Sequence, residues 1–369
     1  MNNKPTILCI TQLPPPIHGQ SLINEKVVNN EVLNSKYDIV VLDAKYSKSI
    51  KEIGSGNFKK TFKLVLIIFK LLKLLITRKI KLVYFSIAPI GIPFFRDASL
   101  VFLIKFFRIK ILYHMHGLGV DKGASKNKLN HLVYNFVFNN SPAIIVSRLV
   151  ETDLNKVKVK KIYTIANGIK DQASSYKHRI SATNFSSEIN ILFLSNFVAN
   201  KGVFTFIDVV EILVNKGYNI KATMIGASYD IDVEGITEIA KNRGLTKHIN
   251  AVGAVFGNEK YTYISNTDIF LFPTKLELFG IVLLENMQFG IPIVASAIGS
   301  IPEILDFGNA GLLNENFESA DEFSKLVERL IVNKDLRETI AHNARNRFSQ
   351  YYTDKIFDDK IVAAFEDNL

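Results

Sequence analysis

The stretch Phe272-Pro273-Thr274-Lys275-Leu276-Glu277-Leu278-Phe279-Gly280-Ile281-Val282-Leu283-Leu284-Glu285-Asn286-Met287-Gln288-Phe289-Gly290-Ile291-Pro292 reads as the middle of one structural unit. A short apolar strand, 268–271, runs into it, and another, 293–296, leaves it. Between them Gly280 opens a short helix that Gly290-Ile291-Pro292 stops. Apolar strands joined through helices belong to parallel sheets covered on both faces.

The same rhythm repeats on either side. Strands are expected at 6–10, 38–42, 81–86, 110–114, 143–147 and 162–165. After a polar stretch, 170–187, they resume at 189–195, 220–225 and 249–252 and continue through the quoted unit. Two such series predict an α/β chain of two doubly wound, Rossmann-like parallel-sheet domains, residues 1–175 and 188–349. The helical tail from 343 has no strand to pair with. Ligands of such sheets bind beyond the C-terminal strand ends, so a cleft between facing domains is the default site.

Composition narrows the function. The 369 residues are 48% hydrophobic and 22% charged, as in an ordinary folded chain. A single cysteine, Cys9, excludes a disulfide framework and a cysteine-based zinc site, and fits a reducing cytoplasm. The net charge of +10 is unevenly spread: residues 1–170 hold 27 basic and 9 acidic side chains, leaving the remainder at −8. An acidic partner is expected for the first half. No nucleic-acid recognition module is legible, which leaves a membrane surface.

The N-terminal apolar run is short and broken by Pro14 to Pro16, so no signal peptide is expected. The most apolar stretch, 62–76, is interrupted by Lys63, Lys70 and Lys73 and should not span a bilayer. The three lysines share one edge of a leucine-rich helix, which is either a cationic amphipathic helix on a membrane or a domain helix with a solvated edge. The stretch 100–107, with Lys105, Arg108 and Lys110, would extend the first reading.

Four clusters follow strands. Leu13-Pro14-Pro15-Pro16-Ile17-His18-Gly19-Gln20-Ser21 is a stiff loop in which Gly19 lets backbone approach a ligand. It lacks the dinucleotide fingerprint. Tyr113-His114-Met115-His116-Gly117 carries two histidines expected on opposite faces of the strand, with His116, the later one, toward the cleft. Ser195-Asn196-Phe197-Val198-Ala199-Asn200-Lys201-Gly202 offers a lysine at a helix start, suited to a diphosphate but without P-loop spacing. In the quoted stretch, free N–H groups near Leu278, Phe279 and Gly280 would form an anion site, with Glu277 just upstream. A carboxylate beside phosphate suits sugar hydroxyls or a developing cationic carbon. Glu285 is either on a solvated edge or held for a ligand.

Glu277 and Glu285 with Phe279-Gly280, then Gly290-Ile291-Pro292-Ile293-Val294-Ala295 and Gly299-Ser300-Ile301-Pro302-Glu303, resemble in order and spacing the donor-site signature of GT-B-fold glycosyltransferases, retaining family 4. Lys201-Gly202, His116-Gly117, Gly19 and the turn Asn167-Gly168-Ile169 are similar to further parts of that pattern. The opening loop, with Phe94-Phe95-Arg96-Asp97, resembles bacterial enzymes that build surface polysaccharides such as capsule or O-antigen.

The resemblance implies two domains facing each other across a cleft, the final helix, about 350–369, crossing back onto the first. It implies a nucleotide diphosphate sugar donor, UDP or GDP, bound by the second domain, and a saccharide or lipid-linked acceptor bound by the first. Transfer would retain anomeric configuration, without a metal or other cofactor. An anionic membrane on its inner face would hold the enzyme peripherally; no nucleic acid is implied. Glu277 would lie near the anomeric carbon, Lys201 at the diphosphate and His116 at the donor sugar. Glu285 would hold the ribose. Gly19 and the amides of Leu278, Phe279 and Gly280 would sit against phosphate, and Gly253 and Val255 would flank the base. Asn196 stands where the family has an arginine, so one cation is missing. Lys275 or Lys201 alone are the candidates to compensate. Rival readings are an inactive paralogue that binds a nucleotide sugar or a partner enzyme, and a GT-B sugar epimerase.

Overall fold

The computed structural model describes residues 4–15, 19–45, 58–176 and 188–369. Residues 16–18 of the proline-rich loop and 177–187 of the polar stretch lie outside them. The chain divides into two compact units: Met1–Asn167 with Lys355–Leu369, and Gly168–Asp354.

The first unit runs β1 (Thr6–Thr11), α1 (Gly19–Val28), α2 (Glu31–Lys36), β2 (Asp38–Asp43), α3 (Phe58–Thr77), β3 (Ile80–Ile87), α4 (Gly91–Phe106), β4 (Lys110–Met115), α5 (Val120–Ala124), α6 (Lys128–Phe138), β5 (Ser141–Ile145) and β6 (Val159–Thr164). Its six parallel strands lie in the order β2-β1-β3-β4-β5-β6. β1 is buried along its whole length, which fits its central, apolar sequence. Parallel crossovers are right-handed. The step from β1 to β2 therefore puts α1 and α2 on one face, and the reverse steps through β3, β4 and β5 put α3, α4 and α6 on the other.

The second unit runs β7 (Ile189–Leu194), α7 (Val203–Asn215), β8 (Ile220–Ile225), α8 (Val233–Asn242), β9 (Ile249–Gly253), α9 (Gly257–Ser265), β10 (Ile269–Phe272), α10 (Ile281–Met287), β11 (Ile293–Ser296), α11 (Ile301–Ile304), β12 (Leu312–Asn314), α12 (Ala320–Val332) and α13 (Lys334–Tyr351). The strand order is β12-β11-β10-β7-β8-β9, again all parallel. Phe193, Phe206, Val210, Leu271, Phe323 and Val327 are buried in one core.

Two expectations change. A twelfth strand, β12, extends the second sheet; at three residues it is too short to show a period. The boundary falls at Asn167, earlier than residue 175, because the next segment is tied to the second unit. Ile169 N–H donates to Tyr352 O (2.9 Å) and Asp354 N–H to Ile169 O (3.0 Å). Asp171 pairs with Arg345 at 2.6 Å.

The last helix, α14 (Asp354–Glu366), places nearly all its residues in the first unit. Phe357, Ile361 and Phe365 are buried. Phe365 stacks on Tyr84 at 5.4 Å, and Lys26 of α1 lies 4.6 Å from the Phe357 ring centre. Burying three such side chains is worth about 1.5–3 kcal/mol each. That accounts for a tail helix with no strand of its own.

Candidate active site

In the second sheet the strand order reverses between β7 and β10. Ligands of open parallel sheets bind beyond the strand ends at such a switch point. The loops leaving these two strands are bonded to each other. Lys275 N–H donates to Asn200 O at 2.8 Å, and Thr274 Oγ1–H lies within reach of Asn200 O (3.3 Å) and Leu276 O (3.2 Å). Gly202 has φ +79° at the start of α7, and a Cβ there would sit 1.9 Å from Pro273 O. A glycine is needed for the two loops to approach this closely.

Lys201 projects across this seam. Its Nζ donates to Leu276 O at 2.8 Å and pairs with Glu277 Oε2 at 2.9 Å. An ammonium has three N–H donors, so one remains for a ligand. The other Glu277 oxygen, Oε1, accepts from Leu278 N–H at 3.0 Å. That amends the expected anion site: one of its three amides already serves Glu277. Gly299 supports the loop from below, where a Cβ would lie 2.2 Å from Glu277 O, and Ser300 N–H donates to Leu278 O at 2.8 Å. Phe279 is buried, and Gly280, with φ +82°, starts α10.

Glu285 lies on α10 and is buried, so the solvated-edge reading fails. Its Oε1 pairs with Lys260 Nζ of α9 at 2.5 Å. Lys260 was not singled out in the sequence, where it sits in an unremarkable polar helix 25 positions away. Burial, with the Glu285 charge second, pushes the neighbouring Tyr261 phenol up. Gly253 ends β9 and accepts from Gly226 N–H at 2.8 Å, while Val255 is buried in the loop to α9. Asn196 is exposed at the end of β7. Of its two candidate substitutes, Lys275 is committed to an ion pair with Glu318, and Lys201 is shared with Glu277.

Gly19 and His116 belong to the first unit. Gly19 is exposed at the first position of α1. His116 is half-buried just past β4. The expectation for the two histidines is corrected: alternate strand residues share a face, and the rings of His114 and His116 lie 4.0 Å apart. His114 is fully buried, its Nδ1 2.7 Å from the Tyr84 hydroxyl. Burial first, and His116 second, hold His114 well below the usual imidazole range, so it is neutral. The backbone after His116 is fixed by Asp153, whose carboxylate accepts from Gly119, Val120 and Asp121 N–H at 2.9, 3.0 and 3.3 Å. Among the described residues no group of three His, Cys, Asp or Glu is placed to hold a metal ion.

Two six-stranded, all-parallel α/β sheets give the chain the GT-B fold of its solved structural neighbours. Residues 176–347 match the family described as glycosyl transferases group 1. The chain is 26% identical over 220 residues to the capsular polysaccharide biosynthesis glycosyltransferase CapM of Staphylococcus aureus, covering 57% of each chain. It is 25% identical to an uncharacterized 41.2 kDa protein in the cps region of Klebsiella pneumoniae, covering 87% of this chain and 91% of the other. The match thus spans little more than half of the first relative and most of the second. Among solved structures, sucrose-phosphate synthase from Thermosynechococcus elongatus superposes with TM-score 0.76 at 16% identity, over 99% of both chains. Anabaena HepE in complex with UDP superposes with TM-score 0.71 at 17% identity, over 98% of this chain and all of the other.

Proposed function

We propose that the protein is a retaining glycosyltransferase of family 4 that moves a sugar from a nucleotide diphosphate sugar to a lipid-linked saccharide in surface-polysaccharide assembly. The observation that carries this is the Lys201–Glu277 pair across the β7/β10 switch point, with Glu285 one helix further on. UDP is the first nucleotide to try, since HepE of the same fold binds it; GDP is the second. The polysaccharide assignment follows the named role of CapM.

In this reading Glu285 holds the ribose with the oxygen that Lys260 leaves free. The third N–H of Lys201 meets the diphosphate. As the bond from the anomeric carbon to the diphosphate oxygen breaks, the acceptor hydroxyl oxygen bonds to that carbon on the same face and gives its proton to the departing phosphate; negative charge grows on the leaving diphosphate and the sugar becomes oxocarbenium-like. Lys201 would stabilise the first charge and Glu277 the second. His116 keeps its proposed part in holding sugar hydroxyls. No metal or other cofactor is needed for these steps. The acceptor's lipid would place the enzyme peripherally on the inner face of an anionic membrane.

The test is transfer from radiolabelled UDP- and GDP-sugars to a lipid extract of cells making the polysaccharide, with Glu277→Ala as control. Label entering lipid with wild type alone supports the reading. Asn196 favours one second reading, an inactive paralogue that still binds a nucleotide sugar: nucleotide binding without transfer from any donor would establish it.

A further inference from the structure

The layer formed by α3, α4 and α6 on one face of the first sheet is unusual. Twelve of the 23 exposed large hydrophobic side chains among the described residues lie on these three helices. Phe69 and Ile76 on α3, Ile92 and Phe106 on α4, and Leu129 and Leu132 on α6 are 65–79% exposed. In the second unit such residues are scattered over several elements, as on any soluble surface. Here they are contiguous. α3 packs on α4. Phe102 of α4 meets Phe136 of α6 at 6.0 Å, and Lys105 donates to the Phe136 and Asn139 carbonyls at 2.5 and 3.0 Å. Large contiguous apolar patches on a folded chain mark interaction sites.

The charge says what the partner is. The only acidic residue on these helices is Asp97, which is buried. Exposed Lys70, Lys73, Arg108 and Lys128 lie on them or at their ends. A second copy would bring cation against cation. Phosphate headgroups over acyl chains match both halves of the pattern, since apolar side chains enter the acyl boundary while lysines and arginines stay at the headgroups. No helix among the described residues is long and apolar enough to cross a membrane, so the contact would be parallel to the surface.

We infer that the α3–α4–α6 face is a docking surface for an anionic lipid bilayer. This gives the proposed lipid-linked acceptor its place of encounter, and rests on that reading for its purpose. It goes further than the lysine edge of one helix, because the apolar contact is spread over three.

The test is flotation of the full chain with phosphatidylcholine vesicles, with and without phosphatidylglycerol, at low and high salt. Binding should be at least tenfold stronger with the anionic lipid and fall at high salt. Phe69→Ser with Phe106→Ser should weaken it at least tenfold at an unchanged melting temperature; Lys70→Glu with Lys73→Glu should do so through charge alone. No binding to anionic vesicles at low salt overturns the inference. So does equal binding by wild type and both variants, or a dimer seen by light scattering that the phenylalanine variant abolishes. UDP and GDP binding, measured on the same preparations, separates the two readings. Intact nucleotide binding without flotation removes only the docking surface; flotation without nucleotide binding removes only the transferase reading.

Discussion

The two sheets differ in where their strand order turns, and the chemistry differs with it. The first reverses between β1 and β3, the second between β10 and β7. Beside the first switch point Gln20 donates to Ser86 Oγ at 3.0 Å and Lys45 donates to Pro14 O at 3.3 Å, with the neutral His114 one strand away. Around the second lie lysine–carboxylate pairs, Lys201–Glu277 and Lys275–Glu318, with Lys260–Glu285 behind them. The same layered fold thus supplies one strand end where Gln20 meets Ser86 and one lined with lysine–carboxylate pairs. On the proposed reading a diphosphate binds at the second, competing for lysines already held in ion pairs.

Lys201→Ala attacks the charged end directly. Removing one group that stabilises transition-state charge costs about 10²–10³-fold in turnover. A steady-state assay of donor consumption should show this loss in kcat, with a smaller change in KM. Lys260→Met should leave Glu285 buried without its partner, lowering stability by roughly 2–4 kcal/mol. Chemical denaturation measures it, and the double variant with Glu285→Gln should recover most of the loss. Lys260→Arg should keep the pairing. Asn196→Arg sharpens the contrast by adding a cation to the charged end. It should tighten nucleotide diphosphate binding by roughly tenfold, the scale of one charge-assisted hydrogen bond; no change would show that the position does not face the ligand.

The smallest effect tests the first sheet. Burial pushes the Asp97 carboxyl up to about 7, against the hydrogen bond from Ala88 N–H and the charge of Arg96. Because the folded pKa is raised, the unfolded state gives up its proton first as pH rises, and stability falls between about pH 4 and 7. Asp97→Asn should therefore raise the melting temperature at pH 7.5 by a few degrees, and the gain should vanish near pH 4. His114 acts with the opposite slope. Its folded pKa is depressed, so stability is lost as pH falls below the ordinary imidazole value of about 6.5.

Most of the strands and their parallel, doubly wound arrangement were legible because the strands are buried on both faces and read as apolar runs. β12 was not, being three residues long. β6 begins at Val159, earlier than residue 162, because the exposed Lys160 and Lys161 interrupt its apolar pattern. Lys201, Glu277 and Glu285 could be found from their places after strands. Their partners could not: Lys260 meets Glu285 only through the packing of α9 on α10, and Glu318 reaches Lys275 from the loop before α12. Local sequence carries strand ends and helix starts, while ion pairs between elements are a product of tertiary packing.

The central claim is that the charged strand end holds a nucleoside diphosphate. Thermal shift with UDP, GDP, ADP and CMP, on wild type and Glu285→Ala, tests it most directly. A ligand at 100-fold over its dissociation constant adds about 2.7 kcal/mol, or a few degrees for a chain of this size. The account predicts a shift with one nucleoside diphosphate that Glu285→Ala removes. No shift with any of the four, or an equal shift in the variant, would contradict it.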